Sequence, residues 1–366
     1  MFFSDRPGWR RVRCISPQGD RYSYWEKVMP RIPDHILDSI IYLYETEEAS
    51  HKGEDAGGSG FLVAIEGGPR GRSLYAVTNS HVVGGFGHSP AYPVVRVNKQ
   101  DGTLGTIATP VENWIHHFDG VTDLAVCPIS LDEDRGRYKY RFIQQSLFLN
   151  EESALDMRIG PGDDVHLVGR FINHEGKEKN LPSVRHGTVA QVPLEPVNLA
   201  GIPPQDAFLV EVRSISGFSG SPIMTVIPIQ RVSEKLRAQA GPTNTVAQFL
   251  LGVDCAHLRN CEWIEEYDQK TGESKPTDFY VATDTGMAVV IPAWKLNELL
   301  QHCEEAEMKR RADTEPRGRP KLAGKLDVAT GKPQVQKTRA GATIPVLTRD
   351  EFFKNLAKAI RRKKDR

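Results

Sequence analysis

The feature that most constrains the fold is a series of short apolar runs that begins after Asp38 and ends at Ile291. Each run has the length of a strand, is rich in β-branched and aromatic residues, and is bounded by Gly, Pro, Asn or Asp. About a dozen such runs predict an all-β sandwich or barrel and exclude alternating strands and helices. Segment 292–302 opens with Pro292 and repeats apolar residues at helical spacing, which predicts a helix that closes the folded domain.

The charges divide the chain into an acidic body and a basic tail. The 366 residues carry 47 basic and 47 acidic side chains, but residues 309–366 hold 18 of the basic and only 6 of the acidic ones. Residues 303–347 offer few large apolar side chains to offset chain entropy, which predicts a basic linker. Segment 348–366 combines a capping-box pattern at Thr348 and Glu351 with one apolar stripe, which predicts an amphipathic basic helix.

Several protein classes are excluded by composition. No run approaches the length of about 18 apolar residues that a membrane span needs, so an integral membrane protein is not expected. Residues 1–32 are polar and aromatic without a sustained period, which predicts an irregular extension without a signal peptide. The 5 cysteines are an odd number and contain no C-x-x-C pair, so neither a disulfide framework nor a zinc site is expected. These features favour a cytoplasmic protein that binds no metal or other cofactor.

A serine between glycines is the first candidate for chemistry. In Gly217-Phe-Ser219-Gly220 the glycines allow a sharp turn that exposes the hydroxyl and directs backbone N–H groups towards one point. A nucleophile and an oxyanion hole can be built together in this way. Gly and Ser are also ordinary turn residues, so the segment alone is equally consistent with a simple turn.

A histidine and an aspartate are the second and third candidates for chemistry. His81 follows an apolar strand that ends in Thr78-Asn-Ser80, where Thr78 or Ser80 could cap a helical turn and leave the imidazole accessible as a general base. Asp123 stands at the head of an apolar strand, where a buried carboxylate needs a partner such as an imidazole N–H. The order His81, Asp123, Ser219 in an all-β chain matches the chymotrypsin-type triad.

With these residues the sequence resembles the trypsin-like serine proteases, most closely the bacterial HtrA-like branch. The matching segments are Gly58-Ser-Gly-Phe61, Thr78-Asn-Ser-His-Val-Val83, Thr122-Asp-Leu-Ala-Val126 and Gly217-Phe-Ser-Gly-Ser-Pro222. The resemblance implies two antiparallel six-stranded β-barrels with the catalytic groups between them. It places a protease domain at 33–302, with barrel 1 at about 38–145 and barrel 2 at about 155–292. HtrA-like proteins usually continue into a PDZ domain, whose pattern is not found in 303–366.

The resemblance also assigns roles in the hydrolysis of peptide bonds in protein substrates. Ser219 would attack the peptide carbonyl to form an acyl-enzyme, and His81 would transfer the proton. Asp123 would hold the imidazole, and the N–H groups of Gly217 and Ser219 would bind the oxyanion. Phe218 replaces the aspartate of digestive trypsins, so activation by N-terminal cleavage is not expected.

Four further residues are predicted to bind substrate. Arg213 lies six residues before the nucleophile, where trypsins have their acidic specificity residue, so preference for Lys or Arg is not expected. The enzyme could instead prefer a small, an apolar or an acidic residue at the cleavage site. Val253, Asp254 and Cys255 belong to the strand that usually runs beside bound substrate in this family.

Two alternatives remain open at this point. One is a catalytically idle protease fold that acts through its basic tail, which could bind a partner protein or a nucleic acid. A solvated linker with a docking helix for a regulatory partner explains the tail better, because it has few stacking aromatics and no nucleic-acid fold signature. The other alternative is an active protease whose basic tail covers the acidic body until a partner removes it.

Overall fold

The protein is represented by a computed structural model, in which two compact units cover residues 1–312 and 313–366. The structure describes residues 9–15, 21–27, 32–68, 71–131, 136–171, 176–199, 202–214, 217–234, 246–268, 271–314, 335–337 and 343–345. The predicted helix at 348–366 lies outside these ranges, as does most of the predicted linker.

The N-terminal segment contains a β-hairpin. Strand β1 (Trp9–Ile15) pairs antiparallel with β2 (Arg21–Lys27), and Trp9 is opposite Lys27. The prediction of an irregular extension is therefore wrong for these residues. The mixed polar and aromatic sequence of both strands lacks the alternation of apolar and polar residues by which strands are recognised.

The first half of the larger unit is an eight-stranded sheet in which neighbours follow the order β7-β6-β3-β4-β5-β9-β8, while β10 pairs parallel with β4. Two short helices accompany it. The bounds are α1 (Asp34–Leu37), β3 (Ile40–Tyr44), α2 (Glu47–Lys52), β4 (Ala56–Gly68), β5 (Gly71–Thr78), β6 (Val94–Asn98), β7 (Leu104–Ala108), β8 (Ile115–His116), β9 (Ala125–Pro128) and β10 (Ile143–Gln144). Among the described residues the pairing of this sheet does not close, so the predicted first six-stranded barrel is not observed.

The second half is a closed barrel in the strand order β11-β12-β15-β18-β17-β16, with a separate β13-β14 pair. Its bounds are α3 (Glu151–Asp156), β11 (Asp164–Gly169), β12 (Ser183–Gln191), β13 (Val197–Leu199), β14 (Ile202–Gln205), β15 (Phe208–Glu211), β16 (Pro222–Pro228), β17 (Val246–Asp268) and β18 (Glu273–Pro292). Strands β17 and β18 continue beyond the barrel as a paired ribbon that reaches Asp268 and Glu273.

The closing helix is longer than predicted. Helix α4 (Ala293–Thr314) begins directly after β18 and continues through residues 303–314, which the sequence assigned to a linker. Glu307 forms ion pairs with Arg310 and Arg311 there, so charged side chains support the helix where apolar ones are few. In the second compact unit, β19 (Val335–Lys337) pairs antiparallel with β20 (Thr343–Pro345).

One hydrophobic cluster joins the two sheets and α4. It contains Tyr42 and Phe61 from the first sheet, Met224 and Leu250 from the barrel, and Leu299 from the helix, each with its side chain fully buried. Two further clusters fill the interiors of the separate halves. The predicted mainly β architecture with a closing helix is confirmed. The shared cluster packs the first sheet against the barrel, and the candidate site residues lie on these two parts.

Candidate active site

The His81 imidazole and the Asp123 carboxylate form a hydrogen-bonded pair on the first sheet. His81 lies in a 3-10 turn, Ser80–Val83, that begins directly after β5, and Asp123 lies two residues before β9. The Asp123 carboxylate accepts two hydrogen bonds, from the His81 backbone N at 2.9 Å and from His81 Nδ1 at 2.6 Å. Asp123 is fully buried, whereas the His81 side chain is 18% exposed. The imidazole is therefore held in one orientation while its other edge stays accessible.

Two amides that the sequence did not reveal hold the backbone of Asp123. Asn79 Nδ2 donates to the Asp123 carbonyl at 2.9 Å, and the Asp123 N–H donates to Gln205 Oε1 at 2.9 Å. Gln205 belongs to β14, 82 positions further along the chain. No local pattern signals such a contact, because it depends on the association of distant segments.

The turn that carries His81 is capped differently from the prediction. Thr78 Oγ1 donates to the Ser59 carbonyl, and Asn79 at the start of the turn makes no side-chain cap bond. Ser80 Oγ lies 2.5 Å from His116 Nδ1 instead. Burial lowers the pKa of His116, although the charge of Asp123 acts in the opposite direction. The predicted helical turn is present, but neither Thr78 nor Ser80 caps it.

The Ser219 loop is fixed through its backbone. Gly217 and Gly220 have φ values of +94° and +86°, which few residues other than glycine adopt. Ser221 N donates to the Phe218 carbonyl at 2.8 Å, which fixes that carbonyl. The Ser219 N–H belongs to the same planar peptide unit and therefore points the opposite way. Phe218 is fully buried, so its ring anchors the loop in the barrel core.

Strand β4 brings the Ser219 loop next to the His81 turn. Ser59 N donates to the Ser219 carbonyl at 2.9 Å. A Cβ atom on the neighbouring Gly58 would lie 3.0 Å from Val82 Cγ1 and 3.2 Å from the same Ser219 carbonyl. Within the described ranges, no hydrogen bond joins Ser219 Oγ to the His81 ring. The structure thus joins His81 to Asp123 and places the Ser219 backbone beside their turn, without a formed Ser219–His81 bond.

The four predicted substrate residues differ in accessibility. Arg213 is exposed, and its carbonyl accepts a hydrogen bond from Arg185, a residue that the sequence did not single out. The Arg185 guanidinium also lies 4.7 Å from the centre of the Phe218 ring. Val253 and Cys255 are buried, so their side chains do not face a cleft, although their strand borders the loop.

Asp254 is a buried carboxyl at the back of the Ser219 loop. Its backbone accepts from Gly220 N at 2.8 Å and donates to the Ser221 carbonyl at 2.9 Å, while Ser214 Oγ donates to its Oδ2 at 2.9 Å. Burial raises the pKa of Asp254 to about 7, while the bond from Ser214 and the charge of His81 act to lower it. The Asp254 side chain is 1% exposed and both its backbone groups bond to the Ser219 loop, so the role of this residue in substrate binding stays a prediction.

Other kinds of site are not found in the described residues. No group of three or more His, Cys, Asp or Glu side chains there could hold a metal ion. No helix in these ranges has the length and apolar character required to cross a membrane. A cavity lined by Glu66, Gln144 and Asn297, among others, contains none of the predicted site residues.

Comparison with known proteins gives a family match for the region that contains the site. Residues 58–226 match the family model described as the trypsin-like peptidase domain, and this range includes His81, Asp123 and Ser219. No curated protein sequence matches the chain significantly.

Three proteases are among the solved structures that the chain matches. The MamO protease domain from Magnetospirillum magneticum is 15% identical, with a TM-score of 0.40 over 72% of this chain and 96% of that one. An HtrA-type protease AlgW variant with a tripeptide is 15% identical, with a TM-score of 0.39 over 75% of this chain and 62% of that one. The Rv3671c protease from M. tuberculosis in its active form is 14% identical, with a TM-score of 0.38 over 73% of this chain and 81% of that one.

Proposed function

We propose that this protein is a serine endopeptidase that cleaves protein substrates through Ser219, His81 and Asp123, because residues 58–226 match the family model described as the trypsin-like peptidase domain. The observation that carries the proposal is the pair of hydrogen bonds from His81 to the buried Asp123 carboxylate. A carboxylate on Nδ1 leaves Nε2 as the basic nitrogen and stabilises the imidazolium that forms when the base accepts a proton.

In the proposed reaction, Ser219 Oγ attacks the scissile carbonyl carbon while His81 Nε2 takes the hydroxyl proton. The tetrahedral intermediate collapses when His81 returns that proton to the leaving amine, which leaves an acyl-enzyme. Water, deprotonated by the same imidazole, then releases the acid product and restores Ser219. The mechanism requires Ser219 Oγ to reach His81 Nε2, and hydrogen bonds of this kind often tighten only when substrate is bound.

The oxyanion would be stabilised by the N–H groups of Gly217 and Ser219. The turn bond between Ser221 N and the Phe218 carbonyl supports this role, because it fixes the peptide plane that contains the Ser219 N–H. Loss of one such donor typically costs about 2.7 to 4 kcal/mol in the barrier. The chemistry proposed here uses side chains and backbone groups alone.

We also propose that the protein works in a reducing compartment such as the cytoplasm. The four cysteines whose side chains the structure describes, Cys127, Cys255, Cys261 and Cys303, are free. Burial raises the pKa of Cys127 to about 12 and of Cys303 to about 11, so both remain thiols at neutral pH.

Peptide-library cleavage followed by mass spectrometry tests the proposed activity. Wild type is expected to cut a defined subset of peptides, and the Ser219→Ala variant to leave the library intact. The residue preceding each cut also decides whether the enzyme prefers small, apolar or acidic side chains. A library that wild type leaves uncut, or that both proteins cut equally, contradicts the proposal.

A further inference from the structure

Ser59 binds the Ser219 loop through its backbone and its side chain. Its N donates to the Ser219 carbonyl at 2.9 Å, and its Oγ donates to the Gly217 carbonyl at 2.8 Å. The two accepting carbonyls lie on either side of Phe218. Ser59 is fully buried, so water does not compete for either bond.

The same hydroxyl connects the loop to the end of β11. Arg170 N donates to Ser59 Oγ at 3.0 Å, so the hydroxyl accepts one hydrogen bond and donates another. The Arg170 guanidinium covers Gly217, because a Cβ atom on that glycine would overlap it. Gly217 is therefore held by its carbonyl on Ser59 and is covered by Arg170 at its Cα.

Gly217 is the position in the loop that most needs such restraint. A glycine crosses between positive and negative φ with little steric penalty. Fixing its carbonyl removes that freedom. It also fixes the planar peptide unit between Gly217 and Phe218, which lies between the units that carry the Gly217 and Ser219 N–H groups. The two units that follow are held by bonds from Ser221 N to the Phe218 carbonyl and from Gly220 N to the Asp254 carbonyl.

We infer that Ser59 is a positioning residue, whose hydroxyl holds Gly217 in the conformation that aims the oxyanion-binding N–H groups at one point. The inference rests on the proposed function, since it names the residue that prepares the same site for the transition state. Ser59 touches neither substrate nor the reacting atoms. Its effect is transmitted through the Gly217 carbonyl.

The test compares Ser59→Ala with a matched control, Ser39→Ala. Ser39 is equally buried, and its Oγ likewise donates to one backbone carbonyl, that of Ile36 at 2.7 Å. Both variants lose one buried hydroxyl, but only Ser59→Ala releases Gly217. Removal of an oxyanion donor costs about 10²- to 10³-fold in kcat, so a donor that is misdirected part of the time is expected to cost about 10- to 100-fold.

Two kinetic readouts separate positioning from general destabilisation. In Ser59→Ala, kcat per titrated active site is expected to fall about 10- to 100-fold while KM changes less than about 3-fold. The inhibition constant of a peptidyl trifluoromethyl ketone, whose adduct carries an oxyanion, is expected to rise by the same factor as kcat falls. Ser39→Ala is expected to match wild type in all three constants. Equal constants in the two variants overturn the inference.

Amide hydrogen exchange gives a readout that needs no turnover. Exchange at residues 217–221 is expected to accelerate about 10-fold or more in Ser59→Ala and to stay unchanged in Ser39→Ala. If wild type cleaves no peptide, the proposed function fails, and exchange alone still decides whether Ser59 restrains the loop. Unchanged exchange in a folded Ser59→Ala variant overturns the restraint.

A second variant covers the case in which Ser59→Ala does not fold. Ser59→Cys keeps most of the side-chain volume and a weak donor. It is expected to lie between wild type and Ser59→Ala in kcat and in exchange rate at residues 217–221. A folded Ser59→Cys protein with wild-type kcat and wild-type exchange contradicts a role for a strong hydrogen bond at this position.

Discussion

The two sides of the candidate site are organised by different means. On the first sheet, His81 and Asp123 are joined directly through their side chains. On the barrel, Ser219 is held through its backbone, and its hydroxyl makes no bond to His81 in the described residues. Under the proposed function, the His81–Asp123 pair is complete before substrate arrives, whereas the proposed nucleophile Ser219 has a fixed backbone and a side chain still to be aligned. Substitutions on the first sheet should therefore act on proton transfer. Substitutions on the barrel should act on the geometry and stability of the Ser219 loop.

The largest effect is expected from breaking the acid–base side at His81. His81→Ala removes the general base, and loss of a triad member of this kind lowers kcat by about 10⁴- to 10⁶-fold. The control is His88→Ala, because the His88 ring lies 5.5 Å from the His81 ring and is exposed. Steady-state kinetics on a peptide from the cleaved library would measure kcat for both variants. Comparable rates for the two variants would show that His81 is not the base.

Asp123→Asn should have the next largest effect. The amide keeps the shape of the side chain but favours the wrong imidazole tautomer and cannot stabilise its cation, which costs about 10⁴-fold in kcat. Asp164→Asn is the control, since its carboxylate is exposed and pairs with His186. The same kinetic assay applies. If kcat of Asp123→Asn fell less than about 10-fold, the short His81–Asp123 hydrogen bond would have a structural role only.

On the barrel side, Asp254 should make stability depend on pH. Its folded pKa of about 7 exceeds the unfolded value near 3.9, so the folded state retains a proton that the unfolded state releases between about pH 4 and 7. This group therefore lowers the free energy of unfolding as pH rises through that window. Asp254→Asn cannot release the proton.

Urea unfolding at pH 5 and pH 8 measures this effect. The stability of Asp254→Asn relative to wild type is expected to increase with pH, by about 2 to 4 kcal/mol across the window. The exposed Asp278 provides the control, because Asp278→Asn should show a constant difference from wild type. A constant difference for Asp254→Asn as well would place its folded pKa near the ordinary value.

The smallest effect is expected away from both sides, at the contact between β5 and α4. Tyr75 OH donates to Glu304 Oε1 at 2.8 Å, and Tyr75→Phe removes this buried bond. The expected loss is about 1 to 2 kcal/mol in the free energy of unfolding, with kcat unchanged. Chemical denaturation with parallel kinetics would measure both quantities. A fall in kcat without loss of stability would connect α4 to the chemistry.

Positions next to a strand or turn carry local signals in the sequence. His81, Asp123 and Ser219 each follow or precede a strand or turn that the pattern of apolar residues and glycines marks. Gln205 and the role of Ser59 could not be predicted, because Gln205 meets Asp123 across 82 positions and Ser59 meets Gly217 across 158. Such contacts depend on how two sheets associate, which no local pattern records.

Element lengths were less predictable than element positions. The short runs at 248–254, 278–283 and 286–291 belong to a ribbon whose strands span 23 and 20 residues. Its outer part is exposed on both faces and mixes charged residues with exposed apolar ones such as Trp263, Tyr267 and Phe279, so backbone pairing maintains it without a buried alternation. Helix α4 outlasts its apolar pattern for a related reason, because ion pairs around Glu307 support its last turns.

Covalent labelling with a fluorophosphonate probe tests the central claim most directly, because the probe reacts only with a serine that a neighbouring base has activated. The account predicts one adduct per wild-type chain, located at Ser219 by peptide mapping, and no adduct in Ser219→Ala or His81→Ala. Absence of labelling in folded wild type, or equal labelling of Ser219→Ala, would contradict it.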